Sequence, residues 1–237
     1  MDRNNITNIT IWIKYERSFR VRDLFWEITD KICYSDDFWN PFKDWFLTNQ
    51  FQDNGTMILR SEYNEKWLAS YIRLDCDNIV FNYLVEESKD VSKSIDFIKK
   101  AMIYLLNLLS NFSISNFVRL GIIYNHNVKW NNENLKKICK DITWNKIGDF
   151  NDFSCRFSKR IKDDKALVDK NNKDFNNLIY NVWASQDGLE LWLDYQYYFV
   201  PSKPSLDEGD IKWFFKNSEY FLNTYFYQSK FITNEKK

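Results

Sequence analysis

Ile9, Ile11, Ile13 and Tyr15 alternate with Thr10, Trp12, Lys14 and Glu16. Period two places the first set on one face of a strand and the second on the other. A strand patterned this way is apolar on one side only. It needs sheet neighbours and a layer of apolar side chains to lie against. Phe153, Cys155 and Phe157 repeat the pattern against Ser154, Arg156, Ser158 and Arg160. Further strands are expected at Thr56–Glu62, Trp67–Leu74, Ile79–Val85, Phe117–Tyr124, Leu178–Ala184 and Leu189–Phe199. Asn54-Gly55 and the Asp75–Asn78 connection are turn signals. Asp187-Gly188 reads as a two-residue primed hairpin turn, in which glycine adopts positive φ without steric cost.

Helical stripes supply the covering layer. Val21, Leu24, Phe25, Ile28 and Ile32 fall on one face of a helix from Val21 to Ile32. A longer helix, Val91–Ser110, carries Ile95, Ile98, Met102, Leu105 and Leu109 at three- and four-residue steps. Glu133–Asp141 and Glu208–Tyr227 complete the set, and Ser205-x-x-Glu208 has the form of a capping box. A short helix is expected at Lys43–Thr48 within an aromatic-rich stretch. The order hairpin-then-helix occurs twice. The expected fold is therefore α+β: one antiparallel sheet built from two pattern-related hairpin-plus-helix halves, about 1–125 and 126–237, in a single unit with helices on one face.

Composition excludes several classes. The charge is balanced, 33 basic against 33 acidic residues, so no global field draws the chain to nucleic acid or an anionic membrane. The five glycines, at 55, 121, 148, 188 and 209, are too scattered for a phosphate-binding loop. Met1–Thr7 has no basic stretch followed by an apolar one, and the longest mainly apolar run, Ala101–Leu109, is far too short to span a bilayer. A cytoplasmic protein with no membrane association is expected. Cys33, Cys76, Cys139 and Cys155 are far apart, which points to neither a disulfide framework nor a zinc site. No metal and no cofactor is expected.

In mid-chain stands Arg119-Leu120-Gly121-Ile122-Ile123-Tyr124-Asn125, and near the end Leu191-Trp192-Leu193-Asp194-Tyr195, with a closing helix before Phe231-Ile232-Thr233. In these segments the chain resembles a sporadically distributed family of uncharacterised prokaryotic proteins, without the proline-rich opening of that pattern. The resemblance implies no catalytic residues. Its patchy distribution implies mobile or defence-associated genes.

Three constellations bear on chemistry. His126, the single histidine, follows a strand in Asn125-His126-Asn127 and reads as a solvated loop residue. Asp75 and Asp77 with Glu87-Ser88-Lys89 could hold Mg²⁺ as in a nuclease, but Asp77 already has a turn role. Arg17, Arg20 and Arg22, and separately Arg156, Lys159 and Arg160, are candidate phosphate contacts. Trp12, Trp192 and Tyr198 lie opposite the aliphatic rows and are candidate interface anchors. The leading expectation is a non-enzymatic, homodimeric accessory or adaptor protein that binds itself or a protein of a larger prokaryotic assembly. Binding of single-stranded nucleic acid or RNA is the alternative, and a metal-dependent nuclease ranks third.

Overall fold

A computed structural model describes residues 6–43, 45–46, 48–52, 55–62, 68–85, 91–128, 152–162, 173–185 and 188–226. Among the described residues nine antiparallel strands form one sheet. In chain order they are β1 (Ile6–Tyr15), β2 (Thr48–Gln52), β3 (Thr56–Arg60), β4 (Tyr71–Leu74), β5 (Asn78–Leu84), β6 (Phe117–Val128), β7 (Asp152–Lys162), β8 (Phe175–Ser185) and β9 (Leu189–Lys203). Their spatial order is β2-β3-β4-β5-β1-β6-β9-β8-β7. One meander runs inward from β2 to β5, another from β7 to β9, and β1 and β6 fill the centre. The helices are α1 (Arg20–Asp23), α2 (Phe25–Tyr34), α3 (Val91–Asn111) and α4 (Glu208–Phe221), the last running on as a π turn, Leu222–Phe226. No described helix is long and apolar enough to cross a membrane.

The α+β class and antiparallel sheet follow the strand alternation. Ile9, Ile11 and Ile13 pair across β1 and β5 with Tyr83, Phe81 and Ile79. On the other side they pair with Tyr124, Ile122 and Leu120 of β6. These residues join the apolar sides of α2, α3 and α4 in one buried cluster. Tyr195 and Tyr197 belong to it, and Tyr195 donates to Asn176 Oδ1 at 2.5 Å.

Several local expectations are corrected. The α4 cap is not Ser205 with Glu208 but Asp207. Its carboxylate accepts from the Asp210 N–H at 2.8 Å, while Asp210 accepts from the Asp207 N–H at 3.1 Å. Two carboxylates three residues apart perform the same reciprocal exchange. Of the short helix expected at Lys43–Thr48, the described residues Lys43 and Trp45 lie in turns and Thr48 opens β2, a strand with too little apolar alternation to signal itself; positions 44 and 47 lie outside the described residues. The Val21–Ile32 helix is broken at Leu24. The β8–β9 register is described as far as the pair Ala184–Leu189, and Asp187 of the expected Asp187-Gly188 turn lies beyond it. Residues 186–187 lie outside the described residues, as does the expected helix Glu133–Asp141. At the other predicted turn, Gly55 has φ of +77°, the left-handed conformation that glycine supplies.

Candidate functional site

The side chains opposite the apolar cluster form a second sheet face. On it a ladder of stacked groups crosses β7, β8, β9, β6 and β1. The Arg160 guanidinium lies 3.5 Å from the Phe175 ring centroid. Phe175 stacks on Tyr198 with centroids 4.5 Å apart and planes 8° from parallel. Arg119 follows, 5.4 Å from Tyr198 and 4.4 Å from Trp12. Each cation meets an electron-rich ring face, worth about 0.5–2 kcal/mol per contact depending on desolvation. Gly121 pairs with Trp12 at the last rung, and a Cβ there would be in ordinary van der Waals contact with the Trp12 Cβ, 3.4 Å away.

A directed hydrogen-bond chain runs beside the ladder. Arg119 Nη1 donates to the Tyr198 hydroxyl at 2.9 Å, which donates to Gln196 Oε1 at 2.8 Å. The Gln196 amide donates in turn to Asp194 Oδ2 at 2.6 Å. Asp194 Oδ1 is buried with no hydrogen-bond partner among the described residues, as are Trp12 Nε1 and Arg119 Nε. Burial pushes the Asp194 carboxyl up to about 6, against the opposing pull of Gln196, Arg119 and Arg156.

The interface candidates are therefore parted. Trp12 and Tyr198 are half-buried rungs, whereas Trp192 is 45% exposed on the same face. The two arginine groups are parted as well. Arg22 lies against the β2–β3 turn, about 3.8 Å from where a Gly55 Cβ would stand. Arg156, Lys159 and Arg160 are exposed on β7, the opposite edge of the sheet.

A second surface is formed by α2 and the loop after it. Trp26, Tyr34, Phe38 and Trp39 are 61%, 67%, 89% and 77% exposed. Trp26, Asp30 and Tyr34 recur every four residues along the outer side of α2. Asn40 directs the division of aromatics beyond it. Its Nδ2 donates to the carbonyls of Lys31, Ile32 and Ser35 at 3.1–3.3 Å, closing the C-terminus of α2. Its Oδ1 accepts from the Phe42 N–H at 2.9 Å. Phe38 and Trp39 are thereby left outside, edge to face at 5.4 Å. Phe42 enters the core against Phe46, Phe81 and Tyr104. Sequence reasoning noted the aromatic density but not this division, which depends on one asparagine.

The remaining candidates take structural places. His126 is buried in β6, which runs to Val128, rather than solvated in a loop. It shares the apolar face with Leu120, Ile122 and Tyr124, and desolvation lowers its pKa to about 3. Asp75 Oδ1 accepts from the Asp77 and Asn78 N–H groups at 3.1 and 3.0 Å, so this carboxylate shapes the β4–β5 turn. Asp77 pairs with Lys14 at 3.3 Å. Glu87 and Lys89 lie outside the described residues. Cys33, Cys76 and Cys155 are free thiols; burial, with Asp30 beside it, pushes Cys33 up to about 11. Among the described residues no three His, Cys, Asp or Glu side chains converge on a metal-binding point.

Comparison with protein-family models and with curated proteins returned no match.

Proposed function

We propose that this protein is a non-enzymatic adaptor that docks a cationic segment of a partner protein on the α2 surface. The exposed aromatic stripe carries the reading. Aromatic side chains bury roughly 150–250 Å² each, so Trp26, Tyr34, Phe38 and Trp39 leave on the order of 400–700 Å² of ring surface open. The largest apolar patch on an ordinary monomer is about 300–600 Å² and is often functional. The stripe also has a sign. Asp23, Glu27, Asp30, Asp36 and Asp37 lie among these rings with Lys31 as the one basic residue between positions 23 and 37. Lys43 neutralises Asp36 at 2.5 Å. Arg20 and Arg22 stand before the break at Leu24.

That sign separates a partner from a second copy. A two-fold dimer would set the stripe against itself and bring like charges together. A lysine- or arginine-rich segment gains both ion pairs at the acids and cation–π contact with the rings. The reading is tested by a photo-crosslinking residue at Tyr34 in the source cell, with an equivalent at Lys212 on the exposed side of α4 as control. The expected adduct from position 34 is a cationic peptide, lost when Glu27→Lys and Asp30→Lys are combined. An adduct to another copy of the chain, an acidic or uncharged peptide, or undiminished yield in the charge-reversed variant would overturn it.

A further inference from the structure

We infer that the β7 side of the second sheet face is a binding site for single-stranded nucleic acid, with Arg156 and Arg160 on phosphates and Trp192 and Trp183 beneath bases. This goes beyond the α2 surface and does not depend on it.

The charge is local to this edge. β7 carries Arg156, Lys159, Arg160 and Lys162 against Asp152, in a chain that is neutral as a whole. Basic residues on an edge strand also deter edge-to-edge pairing, which accounts for cations on β7 in general. It does not account for how Arg160 is held. Its guanidinium carbon lies 3.5 Å over the centre of the Phe175 ring, too close for any but a face-on approach, and Phe175 is itself backed by Tyr198, while the residue remains exposed. A guanidinium fixed by its face presents its N–H edge outward, the geometry that engages phosphate oxygens in pairs. Arg156 and Arg160 form no ion pair among the described residues.

The rings are equally specific. Those within the ladder occupy each other's faces and cannot accept a base between them. Trp192 and Trp183 are different: they are 45% and 48% exposed, on neighbouring strands of the same face, and among the described residues no aromatic ring stacks on either. Arg156, Asn181 and Trp192 lie in one row across β7, β8 and β9. Two strand spacings, about 10 Å, separate the backbone positions of Arg156 and Trp192. Asn181 stands between them with an amide able to meet a base edge. Asp194 and Glu190 share this face: Asp194 is drawn to Arg119 and Arg156, and Glu190 stands opposite Trp183, one strand farther from the β7 cations. The open indoles favour unpaired bases, because a duplex keeps its bases stacked inside.

The test is fluorescence anisotropy with short fluorescein-labelled oligo-dT and oligo-U, on the full chain, at about 50 and about 200 mM salt. Binding is expected with a log–log salt slope near −1.4, about 0.7 for each of two phosphates. Arg156→Ala and Arg160→Ala should each remove about half of that slope. Trp192→Ala should weaken binding about 5- to 150-fold, the range for losing one stacked base. Trp192→Phe should restore much of it, which a folding defect would not permit. Arg22→Ala, on the opposite edge, should change nothing. No anisotropy change with protein at about 100 µM would overturn the inference. So would equal affinity for a duplex or a poly-glutamate peptide, or equal losses in Arg22→Ala.

Discussion

Replacing Asp194 with asparagine should stabilise the protein at neutral pH and leave it unchanged in acid. The carboxyl shifts from an ordinary 3.8 to about 6 on folding, chiefly through desolvation. Each pKa unit corresponds to about 1.4 kcal/mol, so ionised Asp194 costs the folded state about 3 kcal/mol at pH 7. The sign follows from proton counts. Between pH 3.8 and about 6 the folded chain holds a proton that the unfolded chain has released. Stability from this group is therefore complete below 3.8 and is lost as pH rises through about 6. Asparagine keeps the shape, and its carbonyl oxygen still accepts from the Gln196 amide. Its effect on packing is the same at every pH and cancels when the variant–parent difference is compared across pH. The attractions of Arg119 and Arg156 are already contained in the net shift. Denaturant unfolding of both proteins from below pH 3.8 up to pH 7 should show the difference growing by about 3 kcal/mol in favour of the variant. A difference independent of pH would refute the burial of Asp194 and, with it, the closed hydrogen-bond chain from Arg119.

His126 acts in the opposite direction. Its folded pKa falls to about 3, so stability should drop by about 1.4 kcal/mol per pH unit as pH falls below 6.5, where only the unfolded chain protonates. His126→Leu should remove that slope and lower the midpoint of acid unfolding followed by circular dichroism; an unmoved midpoint would place the imidazole in water. Asn40→Ala removes the donor to three carbonyls at the end of α2, and a loss of about 1–3 kcal/mol in denaturant melts is expected. A loss within about 0.5 kcal/mol would show that Asn40 does not direct the aromatic division.

The alternating strands were legible because period two and burial coincide. Every aliphatic residue of the β1 row, Ile9 to Ile13, is buried where alternation puts it. The same pattern placed Trp12, Trp192 and Tyr198 on the other face. It could not show that Trp12 and Tyr198 meet through Arg119, because the ladder joins residues by strand register. Arg119 and Tyr198 are 79 positions apart and become neighbours only when β6 pairs with β9. His126 was misread for a related reason. Asn125 and Asn127 face away from the core, so their polarity suggested a strand end while His126 continued the apolar row. The short β2 offered no alternation to read. Capping by Asp207 and Asp210 was missed because an acid pair does not match the usual Ser–Glu spelling of the same exchange.

The two proposed surfaces lie far apart on one sheet, and that distance has a measurable consequence. α2 is fastened to β3, where the Thr29 hydroxyl lies 2.7 Å from Met57 Sδ. From β3 the order runs through β4, β5, β1, β6, β9 and β8 before reaching β7. Seven spacings of about 4.8 Å put β3 and β7 roughly 30 Å apart. That exceeds the Debye length of about 8 Å at physiological salt, so charges on the two surfaces scarcely act on each other. Perturbations more than about 7–10 Å apart with no shared partner combine additively. Combining Glu27→Lys and Asp30→Lys should therefore leave oligo-dT affinity unchanged at physiological salt, and Trp192→Ala should leave the Tyr34 crosslink unchanged. Independence of this kind is what a bridging adaptor needs, because one ligand can be held while the other exchanges. Oligo-dT affinity that changed with the α2 charges at physiological salt would show the surfaces to be coupled, and would refute the additive arrangement derived from the strand order.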